Sequence, residues 1–281
     1  MAPRLPLRAC RAGARGAGLA LGLLLAGAGG ALACDQPTWV GVAMEGSVTQ
    51  ASGPHGPVAA WFEDPTTRYA HAVLGDAIEA GTLAVQLDDV PDCTTARIIL
   101  PEAEVFEDLA PRLADLTGDG RPEIIVVQSH ATQGARLSVY GVAPNGTDLT
   151  LYAATPHIGR ANRWLAPVGV ADLDGDGTQD IAYVDRPHLA RTLRVWRFTP
   201  DGATGGRLQG IANLPGLSNH RIGEAFITGG IRDCGAGPEI ITADAGWSQV
   251  MATRLTEGAL TARALAPFSP EAVANALSCT P

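Results

Sequence analysis

The feature that most limits what this chain can become is a short acidic loop set directly before a run of strand-forming residues. In "ADLDGDGTQDIAYVD" (171–185), Asp172, Asp174 and Asp176 stand at alternate positions, followed by Gly177. Carboxylates spaced this way can turn inward around a hard cation such as calcium, which takes several oxygen ligands from a flexible loop. An EF-hand is excluded, because no helical period follows and no Glu stands at the twelfth position. Instead Asp180 leads into Ile181-Ala182-Tyr183-Val184, a short apolar run of the kind that forms a buried strand.

The same pattern recurs. "LADLTGDGRPEIIVVQSH" (113–130) matches "GVADLDGDGTQDIAYVDRPH" (169–188) closely, with Asp115 and Asp172 57 residues apart. "EAFITGGIRDCGAGPEIITADAGW" (224–247) reads as a weaker copy with a longer loop, in which Phe226 and Thr228 replace the first two acids and Asp233 and Glu239 remain. "HAVLGDAIEAGTLAVQL" (71–87) reads as an eroded fourth copy that keeps Asp76 and Glu79. A second strand follows each copy, as in the alternating "TLRVWRF" (192–198), and Gly, Pro, Asn and Asp punctuate the gaps. A helical period is visible only in the tail, from Pro270 to Leu277. Repeats of roughly 40–60 residues, each a strand meander, are the pattern of a β-propeller, whose blades bury both faces against their neighbours. The expected fold is therefore all-β, a small propeller of about four to five blades. Its units fall near 69–108, 109–160, 161–215 and 216–268, with 34–68 supplying closing or additional strands.

"DLTGDGRPEIIV" and "DLDGDGTQDIAYV" resemble the FG-GAP/VCBS repeats of integrin-type propellers and of many exported bacterial proteins. The likeness extends over about 69–268, although no clean FG…GAP signature is present. It implies structural calcium, one or two ions, bracing the hairpin between the first two strands of a blade. In the clearer loop the ligands are Asp172, Asp174, Asp176, the main-chain carbonyl of Thr178, and Asp180. In the other they are Asp115, Thr117, Asp119, the carbonyl of Arg121, and Glu123. No ion is expected at the third and fourth copies.

In a meander, successive loops alternate between the two ends. The end opposite the acidic loops collects His71, His130, His157, Arg160, Arg163, Trp164, His188, His220, Arg221 and Trp247. These residues are candidates for contacting a protein, a glycan or a small anionic ligand; bridging between blades is the competing role. The chain contains no G-x-S-x-G elbow, no H-E-x-x-H and no phosphate loop, and it has no Lys for Schiff-base chemistry. A binding or scaffolding module is thus preferred over a hydrolase or lyase working from a His- and Arg-lined pocket.

The first 33 residues read as a signal peptide, with Arg4, Arg8, Arg11 and Arg15 before an apolar stretch and Ala31-Leu32-Ala33 as the cleavage signal. Cleavage before Cys34 would release the chain to the periplasm or the exterior with no integral membrane span; lipidation of Cys34 is the rival outcome. The whole chain carries net charge −9, and none of its 29 acids precedes the cleavage point. That balance argues against nucleic acid as a partner. Cys34, Cys93, Cys234 and Cys279 allow two disulfides in three connectivities, and pairing of Cys34 with Cys279 is preferred because it would tie the chain ends together.

Overall fold

A computed structural model describes residues 38–51, 56–88, 94–202 and 205–280. The leader, Cys34 and Cys93 lie outside them. Its regular structure is almost entirely antiparallel strand, arranged as four successive meanders, with one short helix. The first contains β1 (Thr49–Gln50), β2 (Pro57–Thr66), β3 (Glu79–Leu87) and β4 (Thr95–Ile99). The second contains β5 (Glu104–Phe106), β6 (Arg112–Ala114), β7 (Glu123–His130), β8 (Gly134–Val142) and β9 (Leu149–Ala154). β5 and β6 both pair with β7 and so act as one interrupted first strand. The pairing of Ala80 with Phe106 links this sheet to the first. The third meander is β10 (Leu165–Ala171), β11 (Asp180–Asp185), β12 (Thr192–Pro200) and β13 (Gly206–Pro215), bonded in sequence order. The fourth repeats the interrupted start: β14 (Leu217–Ser218) and β15 (Gly230–Asp233) both pair with β16 (Pro238–Asp244), followed by β17 (Gln249–Thr256) and β18 (Ala259–Pro267).

The central strands are buried on both faces, and their alternation shows why. Ile124 and Val126 of β7 point to a core shared with the first sheet, through Phe62, Leu83 and Phe106. Ile125 and Val127 of the same strand point the other way, to Leu165, Ile181 and Phe198 of the third sheet. Ala182 and Val184 of β11 then meet Leu217, Ile240 and Leu255 of the fourth. A strand with no polar face is stable only between two neighbours, so these sequences dictate face-to-face stacking.

The terminal faces are covered separately. Trp39, Ala43 and Val48 lie over Ala59, Trp61 and Ala84 on the first sheet. The helix α1 (Pro270–Leu277) sets Val273 and Ala276 against Ile241, Val250 and Ala252 on the fourth. It spans the expected 270–277; Ser269 caps its N-terminus by accepting from the Ala272 amide at 3.0 Å, and Pro270 opens the first turn. The first and fourth sheets meet through loops, with the Gly223 amide donating to the Val73 carbonyl at 3.0 Å. Among the described residues no apolar cluster joins their faces.

Three expectations are corrected. Cys279 pairs with Cys234, not Cys34, and thereby ties the turn before β16 to the residues just after α1. The third acidic loop is shorter than the first two, not longer. The register Arg232↔Glu239 parallels Ala114↔Glu123 and Ala171↔Asp180, so Asp233 takes the place of Asp115 and Asp172. Phe226 and Thr228 instead lie in the loop ahead of β15. In the first meander, β2 takes the second-strand place that β7, β11 and β16 hold in theirs, so the 71–78 segment joins its second and third strands rather than its first two.

Candidate functional site

The two clear acidic loops occupy equivalent places in separate sheets, between β6 and β7 and between β10 and β11. Their internal bonding is the same. Asp115 accepts from the amides of Gly118 and Gly120 at 2.7 and 2.8 Å; Asp172 accepts from those of Gly175 and Gly177, both at 2.8 Å. Asp119 then accepts from Arg121, and Asp176 from Thr178, each at 2.8 Å. Glu123 and Asp180, opening the motif strands, reach back to the amides of Leu116 and Leu173. Gly118, Gly120, Gly175 and Gly177 all have φ between 77° and 87°, a region that side-chain-bearing residues rarely enter.

What faces the strand-opening acid differs between the sheets. Across from Asp180 in the ladder stands Arg197. Its Nε lies 3.0 Å from Asp180 Oδ1, and its terminal nitrogens lie 2.7 Å from Asp174 and 2.6 Å from Asp176. One guanidinium therefore serves three of the four acids. One place beyond the pair Ile124↔Tyr140, the position facing Glu123 is Gly141, where an added Cβ would fall 2.3 Å from the Tyr152 ring that crosses it. Burial pushes the Glu123 carboxyl up to about 7, reinforced by Asp119 and Asp115. Across from Glu239 in the fourth sheet stands Arg254, and Arg232 and Arg263 join it, at 2.7–3.2 Å from the carboxylate. Burial opposes ionisation of Glu239, but hydrogen bonds from Arg232 and Arg263 hold its carboxyl below the usual range.

The donor chemistry fits a hard divalent cation. Oxygens from Asp172, Asp174 and Asp176 all lie within 4.8 Å of one another, and hard oxygen donors on glycine-rich loops are what calcium takes. The residues that would hold it are Asp172, Asp174, Asp176, Asp180 and the Thr178 carbonyl in one loop. In the other they are Asp115, Asp119, Glu123, Thr117 and the Arg121 carbonyl. A cavity of about 320 Å³, lined by Asp119, Arg121, Glu123 and Tyr152, adjoins the latter.

Several of the His, Trp and Arg candidates do meet. His188 Nε2 lies 2.9 Å from His220 Nδ1, and His220 Nε2 donates to the Glu224 carbonyl at 2.8 Å. Trp164 stacks parallel to His188 and edge-on to His220, and its indole donates to the Glu107 carbonyl. His71 bonds the buried Glu107 carboxylate at 2.5 Å, and Ser129 donates to its other oxygen. Burial holds His188 down to about 4, with His220 and His71 reinforcing it; burial also pushes the Glu107 carboxyl up. His130 lies apart from these, against His157 at 5.8 Å. Arg221 sits 4.0 Å over the Trp247 ring, which itself packs edge-on against Phe268. Arg160 is exposed, and the Arg163 guanidinium bonds the Asn162 carbonyl. Sequence reading missed Glu107, Ser129 and Arg197 as members of these clusters. A 3.5-residue or period-2 signal could not find them, since each partner comes from another strand.

No curated protein matches this chain. Residues 115–183 match the FG-GAP-like repeat, a span from the first acid of one loop, through the second loop, into the strand after it. Over residues 115–183, then, the chain is similar to the FG-GAP-like repeat.

Proposed function

We propose that this chain is an exported, calcium-braced module of propeller type, built from four blades, that binds or scaffolds a partner through the end remote from its acidic loops. The observation that carries this reading is the matched construction of the 115–123 and 172–180 loops in separate sheets, within a stretch similar to the FG-GAP repeat. Calcium there would supply positive charge among carboxylates and fix the hairpin beneath them. The Cys234–Cys279 disulfide supports an oxidising compartment, and no helix of the described residues is long and apolar enough to cross a membrane. At the remote end, the side chains of His188, His220, Trp164, His71 and Glu107 are joined to one another or to nearby backbone. Arg160 and Arg221 are exposed to solvent. An enzyme of hydrolase or lyase type would draw on the His71–Glu107 pair. Ser129 donates to that carboxylate instead of facing the imidazole as a nucleophile, so binding is the better account.

Scanning calorimetry in chelator and in excess calcium tests the reading. The expected result is a melting temperature several degrees higher in calcium, with the difference abolished in an Asp119→Ala/Asp174→Ala double variant. Equal melting in chelator and calcium would remove the basis for it.

A further inference from the structure

The residues that face the strand-opening acids in the second, third and fourth sheets point beyond the calcium reading, on which the following rests. In these three sheets the acid at the start of the motif strand, Glu123, Asp180 or Glu239, is buried and needs a positive charge. The position facing it on the next strand is Gly141 in the second sheet, Arg197 in the third and Arg254 in the fourth. The fourth sheet surrounds Glu239 with three guanidinium groups and has shortened its loop. The second sheet places an aromatic ring there, over a glycine that admits no side chain. The third sheet is intermediate: its full set of loop acids is kept, yet Arg197 spans three of them.

We propose that Arg197 is a built-in counter-cation that competes with calcium for the 172–180 loop. Asp174, Asp176 and Asp180 each give an oxygen to Arg197 at 2.6–3.0 Å. Two of these three acids, Asp174 and Asp176, belong with Asp172 to the cluster that would hold an ion, so the guanidinium and a divalent ion compete for the same carboxylates. The third sheet thus holds its hairpin without metal, and an ion must displace the Arg197 head group to enter. The 115–123 loop, where no arginine faces Glu123 across the ladder, is the one that requires calcium and takes it first. The acid-richer loop is therefore the weaker site, the reverse of what a count of carboxylates implies.

The test compares the full chain with its Arg197→Gln and Arg197→Lys variants. Calcium is titrated calorimetrically, and melting is followed both in chelator and in calcium. In chelator, Arg197→Gln should melt several degrees below wild type, because four carboxylates lose their only internal cation among the described residues; Arg197→Lys, which keeps the charge but not the fork, should fall between. In calcium, Arg197→Gln should recover most of that loss and show a second site bound about tenfold or more tighter than in wild type. The proposal is overturned if Arg197→Gln melts with wild type in chelator, or if its calcium isotherm is that of wild type. Should neither protein bind calcium at all, the calcium reading and the competition fail together. If both bind two ions identically, calcium bracing stands and the competition alone is rejected.

Discussion

At Glu239 three guanidinium groups meet one carboxylate, and the energetics of that meeting are unequal. Arg232 is nearly buried, whereas Arg263 keeps more than half of its side chain in water. A buried charge that loses its partners is costly, while an exposed ion pair contributes little. Glu239→Gln should therefore lower stability by about 2–3 kcal/mol, since it leaves three cations facing one another. Arg263→Ala should cost less than about 1 kcal/mol. Urea unfolding of both variants measures this, and calcium should restore neither. The acids themselves were legible in the sequence, because a loop's ligands are neighbours along the chain. Their arginine partners were not. Arg197 and Arg254 come from the following strand, at a distance set by hairpin register, and no local spacing reveals which residue will stand opposite.

The turn before β16 shows the same limit at the level of elements. Cys234 lies in that turn and Cys279 just after α1, 45 residues later, and their disulfide fastens the helix to the fourth sheet. The helix was readable from the period between Pro270 and Leu277, but its docking place was not. Pairing Cys34 with Cys279 rested on chain order alone, and it failed because α1 packs on the last sheet and brings Cys279 to the turn that holds Cys234. A closed loop of this length is worth about 2–4 kcal/mol. A Cys234→Ser/Cys279→Ser variant should unfold earlier by that amount. It should also exchange amide hydrogens in α1 and β18 much faster than in β7, which is buried on both faces and remote from the bond. Uniform acceleration across the sheets would instead show that the disulfide stabilises the fold as a whole.

Across the whole molecule, the His cluster joins segments from every sheet: His71 from the first, Glu107 and Ser129 from the second, Trp164 and His188 from the third, His220 from the fourth. Burial keeps His188 neutral down to about 4, against an ordinary 6.5, and lowers His220 as well. The unfolded chain takes up these protons near 6.5 and the folded one does not. Stability from the pair is thus present above 6.5 and lost as pH falls toward 4. Glu107 beside His71, Glu224 beside His220 and Arg191 near His188 share the cluster's field. Glu79, pushed up to about 9 by burial and by Glu107, acts in the opposite sense, costing stability as pH rises. The melting temperature should fall between pH 6.5 and 4, and His188→Gln should flatten that slope; an unchanged slope would assign it to other groups. The repeat made the strands and the two-faced core legible, because Ile-Ile-Val-Val and Ile-Ala-Tyr-Val runs can be stable only between sheets. How the series ends was not legible, since Trp39, Ala43 and Val48 carry no period that marks them as a cover.

Those covers have a consequence for how such a chain can grow. Each interior sheet offers its neighbours the same two oily surfaces, while the outermost surfaces are sealed by their own lids, one before the first strand and one after the last. A unit spliced into the middle would bare neither lid's ground, but it would part the Gly223–Val73 bond and the His cluster that tie the first sheet's loop to the fourth's. The lids thus set what the outer sheets expose, while the loop contacts between the first and fourth sheets set how many units stand between them.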